Sequence, residues 1–327
     1  MFDLGEKQID FMKQRKLALG LSLTLIVLSI VGMVVKGFNF GIDFTGGTII
    51  EVSYPQPVAL NEVRQTLAEG GFDQAIVQHF GSASDVLIRI QPREGMTSAM
   101  VSNRVLDLLQ AKVPAVELRR VEYVGPQVGD ELTEDGALAV LYALIGVLIY
   151  VAFRFEFRFA LGSIAALVHD VIITLGVFAW TQAQFDLTVL AAILAVIGYS
   201  LNDTIVVFDR IRENFRLLRD KTPEAVMNIS VNQTLSRTIM TSVTTLLVVF
   251  ALFFLGGEII HNFALALLVG IAVGTYSSIY VASALALMLG VSKEDLMPPP
   301  KDEVDREALE KELTQAYLEA EARRQNS

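Results

Sequence analysis

The chain has 327 residues, of which 53% are hydrophobic, and its mean hydropathy is +0.49. This apolar content exceeds that of an ordinary soluble domain, so a lipid bilayer is the expected solvent. The formal net charge of −10 argues against nucleic acid as a partner, and the absence of cysteine excludes disulfides and thiolate metal sites.

Six apolar segments are long enough to cross a membrane as helices, since about 30 Å of hydrocarbon requires roughly 20 mostly apolar residues. In chain order they are residues 17–36, 136–153, 159–180, 187–208, 238–255 and 263–289. A cleaved signal peptide is the alternative for the first segment. That run is too long and ends in Met33-Val34-Val35-Lys36 instead of a small-residue cleavage site, so we interpret it as a retained anchor.

Lys and Arg concentrate in alternate connections between these spans. They precede the first span, lie between the second and third, and follow the fourth, whereas the turns at residues 182–186 and 256–262 contain neither. Basic residues near span ends tend to stay cytoplasmic. We therefore expect the N-terminus (residues 1–16), the 209–237 loop and the 290–327 tail to be cytoplasmic, and residues 37–135 to lie outside.

Residues 37–135 have the pattern of a small water-soluble α+β domain. Strand-like runs at residues 48–54, 76–80, 86–90 and 116–124 are interleaved with helical patterns at residues 60–68 and 97–111. The order strand, helix, strand, strand, helix, strand is that of a ferredoxin-like domain. The predicted fold is thus an α-helical membrane protein, with six transmembrane helices and one ferredoxin-like α+β extracytoplasmic domain between helices 1 and 2.

Two glycine-rich segments connect this domain to the membrane helices. The first joint is residues 38–47, Phe-Asn-Phe-Gly-Ile-Asp-Phe-Thr-Gly-Gly, and the second joint is residues 124–129, Val-Gly-Pro-Gln-Val-Gly. Neither is a phosphate-binding loop, because the Walker pattern ends in Gly-Lys-Ser/Thr at a helix start. We interpret both as tight joints or hinges, in which glycine permits otherwise forbidden backbone angles. Their candidate residues are Gly41, Asp43, Gly46, Gly47, Gly125, Pro126 and Gly129.

Few ionisable side chains lie inside the spans, and each is a candidate functional group because charge is costly in hydrocarbon. In the third span, His169 faces inward along a row of small residues, with Asp170 at the edge of that row. In the fourth span, Asn202 belongs to a similar row, and Asp203 lies about 100° round the helix from it. Arg237 immediately precedes the fifth span. It lies at the same bilayer level as Asp203, because the fourth span leaves the membrane soon after Asp203 and the fifth span enters it from the same side at Arg237.

Asp203 and Arg237 can therefore pair inside the bundle, and protonation of the carboxylate would release the arginine. Such a pair has two states, ion-paired and protonated, and their populations depend on which side of the membrane supplies protons. The alternative is that both residues only anchor helix ends, with Arg237 reaching the interface. For His169 and Asp170 the alternative is an interhelical hydrogen bond, and the Gly270–Gly274 pattern indicates helix packing.

Several motifs together resemble one known family. They are the first and second joints, the His169-Asp170 pair, and residues 198–204, 210–214 and 233–238. They are similar to the SecF group of the SecD/SecF family of bacterial protein-export subunits, within the resistance-nodulation-division superfamily, over nearly the whole chain. The resemblance implies that Asp203 and Arg237, which match the family's Asn-Asp-Thr and Ser/His-Arg-Thr motifs, serve in proton passage.

The resemblance also implies a setting for the chain. It would lie in the bacterial cytoplasmic (inner) membrane, pair with a SecD subunit, and use the proton gradient to assist preprotein translocation through the SecYEG channel, with YidC and YajC as further partners. On this interpretation the chain is half of a pseudo-symmetric unit. We expect no enzymatic activity, no cofactor and no metal.

Three other functions are weighed against this one. A superfamily exporter of small molecules or lipids would normally carry two repeats and two large external domains in one chain. An intramembrane aspartyl protease needs two carboxylates in Tyr-Asp and Gly-x-Gly-Asp settings, and neither motif occurs in a span. A structural assembly subunit without proton coupling stays open.

Overall fold

The computed structural model describes residues 9–93 and 95–291. Residues 1–8 of the predicted N-terminus and residues 292–327 of the predicted tail lie outside the described residues. In chain order the elements are α1 (Arg15–Lys36), α2 (Ile42–Thr45), β1 (Gly47–Ser53), α3 (Leu60–Glu69), β2 (Ile76–Phe80), β3 (Ser82–Ile90), α4 (Ser98–Lys112), β4 (Glu117–Val124), α5 (Pro126–Arg154), α6 (Phe157–Thr181), α7 (Leu187–Leu217), α8 (Pro223–Leu255), α9 (Glu258–Ser277), a π-helical turn (Ser278–Ala282) and α10 (Ser283–Met288).

Six helices in the described part of the chain are long and apolar enough to cross a membrane, as predicted. They are α1, α5, α6, α7, α8 and a sixth that joins α9, the π-helical turn and α10. The core of the bundle is formed by α6, α7 and α9, which pack against one another. The outer helices α5 and α8 expose most of their surface, which is expected of helices that face lipid or a partner.

Several predicted boundaries differ from the structure, and β3 for example begins at Ser82 instead of residue 86. The second membrane helix begins at Pro126, ten residues before the predicted start at residue 136, because residues 130–135, four of which are acidic, continue the helix beyond the apolar run. The predicted loop at residues 209–237 is largely helical, since α7 continues to Leu217 and α8 begins at Pro223.

These extensions of α7 and α8 pack together through a row of buried apolar side chains that lies among charged residues. Phe208, Ile211 and Phe215 recur at helical spacing and are buried, as are Met227 and Val231 on the facing helix. The side-chain amide of Asn214 then donates to Ser230 and Gln233, at 2.8 Å each. Two separate motifs of the sequence thereby meet in one helical hairpin.

The α+β domain contains a four-stranded sheet in the order β2-β3-β1-β4, with every neighbouring pair antiparallel. The units β1-α3-β2 and β3-α4-β4 interleave, because each places a strand of the other between its own two strands. This topology is consistent with a ferredoxin-like arrangement. Helices α3 and α4 cover one face of the sheet, where Ile50, Ile88, Leu67 and Val105 are completely buried.

Candidate functional site

The first joint is fastened to the turn between α6 and α7. The backbone N–H of Gly41 donates to the carbonyl of Phe185 at 2.7 Å, and the N–H of Phe185 donates to the carbonyl of Asn39 at 2.8 Å. The rings of Phe40 and Phe44 pack on the ring of Phe185 at centroid distances of 5.9 and 5.8 Å. This joint is therefore held to the membrane bundle at its centre as well as through its end at α1.

Asp43 extends this connection to the start of α7. Its carboxylate Oδ2 accepts a hydrogen bond of 3.0 Å from the backbone N–H of Leu187, the first residue of that helix. Asp186 caps the same helix through a hydrogen bond of 3.0 Å from Val189 N–H. Both carboxylates lie where the helix dipole favours negative charge, so α2 and α7 share an electrostatic contact.

The glycines of the two joints have different structural roles. Gly46 and Gly47 have φ angles of +66° and +130°, and a Cβ at Gly47 would lie 2.6 Å from the carbonyl oxygen of Ile90. Gly129 is helical, but a Cβ there would lie 2.9 Å from the backbone nitrogen of Gly46, so the two joints contact each other directly. Gly125 has φ −66°. The unusual backbone angles predicted for the second joint are therefore absent from Gly125 and Gly129.

Pro126 and Gly41 complete the set of predicted joint residues. Pro126 occupies the first turn of α5, a position that suits its missing N–H, so the second joint is the start of a helix instead of a hinge loop. Gly41 is buried, and a Cβ there would lie 3.1 Å from Cβ of Asp186. The absence of a side chain at Gly41 permits this close approach to the turn before α7.

Asp203 lies on the inner face of α7. Its residue surface is 3% exposed, and its Oδ2 atom has no hydrogen-bond partner among the described residues. Ser242 of α8 faces it, and Arg237 is near enough for its charge to act on the carboxylate. A carboxylate in this position has lost water without gaining a full set of donors.

The predicted ion pair between Asp203 and Arg237 is not formed within 4.0 Å in the described structure. Arg237 lies on the exposed face of α8, while the next residue, Thr238, is 1% exposed and points into the bundle. Asn202 is likewise exposed, on the opposite side of α7 from its core.

Arg237 instead lines an open cleft of about 510 Å³ between α5, the C-terminal half of α7 and the N-terminal half of α8. Arg154 of α5 binds both carboxylate oxygens of Asp209 in this cleft, at 2.6 and 2.9 Å, and Arg210 pairs with Glu213 at 2.7 Å. The cleft therefore holds two satisfied ion pairs beside the guanidinium of Arg237.

His169 and Asp170 form a second buried polar centre. They are 2% and 1% exposed, and Nδ1 of His169 lies 2.9 Å from Oδ1 of Asp170. The other carboxylate oxygen accepts hydrogen bonds from the hydroxyls of Ser200 on α7, at 2.5 Å, and Ser277 on α9, at 2.8 Å. Asp170 is thus the interhelical acceptor, whereas Nε2 of His169 has no partner in the part of the chain that the structure describes.

A family model described as "Protein export membrane protein SecD/SecF, C-terminal" matches residues 104–292, and one described as "SecD/SecF GG Motif" matches residues 31–58. The chain is 54% identical to the protein translocase subunit SecF of Vibrio alginolyticus over 94% of this chain and 96% of that one. It is 52% identical to the same subunit of Pseudomonas aeruginosa, over 91% of this chain and 97% of that one. The chain belongs to the SecD/SecF family.

Solved structures of this family agree with the fold. The crystal structure of SecDF from Thermus thermophilus, described as a translocon-associated membrane protein, is 41% identical and superposes with a TM-score of 0.80 over 88% of this chain. The present SecD/SecF family member spans 39% of that longer chain. A structure of SecDF in a super-membrane-facing form gives a TM-score of 0.67 at 39% identity, over 94% of this chain and 40% of that one.

Within this SecD/SecF family member, sequence reasoning missed the partners of Asp170. Ser200 and Ser277 are small hydroxyl residues, which are common in membrane helices and carry no charge to draw attention. The run Thr275-Tyr276-Ser277-Ser278 was the available signal, because four consecutive polar residues in an apolar span indicate contacts inside the bundle.

Proposed function

We propose that this chain is the SecF-type subunit of a protein translocase, and that the proton gradient drives its conformational cycle through Asp203. It would be a multi-pass protein of the bacterial cytoplasmic (inner) membrane, with both termini cytoplasmic and the α+β domain outside. It assists translocation without being an enzyme. The observation that carries the proposal is the buried carboxylate of Asp203 with one oxygen unpartnered.

A buried carboxylate without a close cation is a natural proton-binding group. Ionisation of such a group is costly in a medium of low dielectric constant, so it favours the protonated form until a cation or water reaches it. Arg237 is the nearby cation, and it lies at the edge of an open cleft instead of in contact with Asp203. Movement of α8 relative to α7 would open and close that contact, which supplies two states of different proton affinity.

The exposed side of α7 and α8 supports SecD as the partner. Asn202 and Arg237 are exposed there, and Asn202 shares an exposed row of α7 with Ala195 and Gly198, whose small size allows another helix to approach closely. Polar side chains and arginine are costly against lipid. A matching membrane half is the partner that would cover them, and the solved SecDF relatives are chains more than twice as long as the part that this chain matches.

The α+β domain is the proposed contact for emerging preprotein. A cavity of about 210 Å³ separates the open face of its sheet from the turns of the membrane bundle, and Phe80, Arg120 and Glu122 line it. This mixture of apolar and charged groups suits an extended polypeptide of varied sequence. SecYEG is the proposed channel for that polypeptide, and YidC and YajC are proposed as accessory partners.

The test is Asp203→Asn in vesicles that contain the SecD subunit and the SecYEG translocon. We expect the variant to assemble normally and to lose the gradient-dependent part of preprotein translocation. Asp209→Asn is the matched control, because it removes a carboxylate from the same helix that is already paired with Arg154. Unchanged gradient-dependent translocation in assembled Asp203→Asn complexes would instead support a structural assembly subunit.

A further inference from the structure

Residues 275–278 form a polar turn at the end of α9, and its four side chains reach four different helices. Successive helical residues project about 100° apart, so four of them cover the whole circumference. The hydroxyl of Ser277 donates to Oδ2 of Asp170 on α6 at 2.8 Å, and the hydroxyl of Ser278 lies 2.8 Å from that of Thr204 on α7. The phenol of Tyr276 donates to the carbonyl of Ala18 on α1 at 2.7 Å.

The fourth side chain of the polar turn leads towards Asp203. The hydroxyl of Thr275 lies 2.7 Å from the hydroxyl of Ser242 on α8, and Ser242 and Asp203 are both 3% exposed where α8 packs against α7. One helical turn therefore contains both Ser277, which bonds Asp170 directly, and Thr275, which is linked towards Asp203 through the hydroxyl of Ser242.

The backbone of the polar turn is closely packed on one side and irregular on the other. A Cβ on Gly274 would lie 3.0 Å from Cβ of Ser200 and 3.4 Å from Oδ2 of Asp170, so a glycine permits this contact. Immediately after Ser277 the helix widens into the π-helical turn Ser278–Ala282. Such π-helical turns are rare and frequently occur at functional sites.

We propose that Thr275 and Ser277 are positioning residues that couple the Asp170 centre to Asp203. This inference rests on the proposed proton-driven function. Oδ2 of Asp170 accepts hydrogen bonds from the hydroxyls of Ser200 and Ser277. When this oxygen takes up a proton it also carries a hydrogen, so the hydrogen bond from Ser277 must rearrange. The polar turn moves as a unit, and the Thr275 contact with Ser242 moves with it. By linkage, proton binding at Asp203 must affect Asp170 equally.

The titratable groups around the two carboxylates are few in the described residues. His169 contacts Asp170, and the ring of Tyr276 lies 6.3 Å from the imidazole. Arg237 acts on Asp203, and Tyr199 lies one helical turn before it on the same helix. These groups are unchanged in the variants chosen below, so they do not by themselves produce a difference between them.

The experiment measures the proton occupancy of Asp203 directly. The chain is reconstituted with its SecD partner, treated with a hydrophobic carbodiimide, which reacts with protonated carboxyls, and labelling of Asp203 is read by mass spectrometry across pH. We expect Asp170→Asn and Ser277→Ala each to shift the labelling midpoint by about half a pH unit or more, roughly a threefold change in proton affinity. Ser277→Ala should add nothing in an Asp170→Asn background, since its hydroxyl acts through that carboxylate.

Thr241→Val is the matched control, because the Thr241 hydroxyl bonds only to carbonyls of its own helix in the described structure. Its midpoint should equal that of the parent. If Ser277→Ala fails to assemble, the near-isosteric Thr275→Val carries the same test, and Asp170→Asn should then have no effect in its background. An unshifted midpoint in Asp170→Asn, or additive shifts in the double variant, overturns the coupling.

The same vesicles separate this inference from the proposed function. If Asp203→Asn retains gradient-driven translocation, the proposed function fails whatever the labelling shows. If Asp203→Asn abolishes it while the labelling midpoint is indifferent to Asp170 and Ser277, only the coupling fails.

Discussion

Replacing Asp43 with alanine should loosen the first joint while the membrane bundle stays folded. The change removes the carboxylate that accepts the N–H of Leu187, and with it the side-chain contact between α2 and the start of α7. The backbone bonds between Gly41 and Phe185 would remain. The joint should therefore open more often without becoming fully detached.

The magnitude follows from the two interactions that Asp43 makes with α7. Loss of a capping hydrogen bond costs about 1 kcal/mol, and loss of a negative charge near a helix N-terminus costs about 0.3–1 kcal/mol. Their sum is about 1.3–2 kcal/mol, and its lower end corresponds to roughly a tenfold change in the equilibrium between the docked and the open joint.

Amide hydrogen exchange of the reconstituted protein, read by mass spectrometry on peptides from residues 38–47, measures this equilibrium. In the Asp43→Ala variant these amides should exchange roughly tenfold faster than in the parent. Asp43→Asn keeps an acceptor oxygen and should recover part of the protection. Asp186→Ala is the control, because it removes a cap from the same helix and keeps the Cβ atom that lies against Gly41 of the joint.

Equal protection of the first joint in Asp43→Ala and the parent would refute this reasoning. So would a tenfold loss of protection in Asp186→Ala, since the effect would then come from the stability of α7 and not from the contact that Asp43 makes.

Three further outcomes are expected. Gly47→Ala should destabilise the α+β domain by a few kcal/mol, because its φ is +130° and the new Cβ would meet the carbonyl of Ile90. Gly125→Ala should be nearly neutral in thermal unfolding, because its new Cβ would lie 3.8 Å from Oη of Tyr123, an ordinary contact distance. Gly198→Leu should leave the isolated chain stable, since nothing lies within 4 Å of a Cβ there, but should reduce co-purification with SecD. Hydrogen bonds from Ser53 and Ser82 lower the pKa of Asp85. The ionised carboxylate therefore stabilises the domain above the ordinary carboxylate pKa, and this stabilisation is lost as pH falls through the lowered pKa. Calorimetry should show Asp85→Asn less stable than the parent at neutral pH, with the difference in stability disappearing in acid.

The sequence predicts the membrane helices well because bilayer length imposes a strong constraint on composition. All six were located from apolar runs, and β2 was predicted at the residues where it occurs, Ile76–Phe80. The largest errors in element bounds lie where helices leave the hydrocarbon. Beyond that boundary Ile211 and Phe215 carry the helical period of α7 among many charged residues, and overall hydropathy hides them.

The site was predicted less completely because hydrogen-bond partners depend on three-dimensional packing. The inward position of His169 follows from the helical period, and His169 is buried. In the fourth span the period gave the wrong face, because the small-residue row that contains Asn202 is exposed and Asp203, about 100° away, is buried. The period cannot show that Ser277 reaches Asp170, or that Arg237 lies on the outer face of α8. Topology placed Arg237 at the depth of Asp203, but depth alone does not determine the angle around a helix.

The length of α5 gives it the geometry of a lever. Its 29 residues span roughly 43 Å, well beyond the hydrocarbon thickness, so one continuous rod extends from the membrane to the base of the α+β domain. Gly129 lies against the first joint near the N-terminal end of this helix, and little of the helix is buried against the other helices. A tilt of about 10° would displace one end by roughly 7 Å relative to the other. A small change of angle at the membrane would thus become a large displacement of the domain.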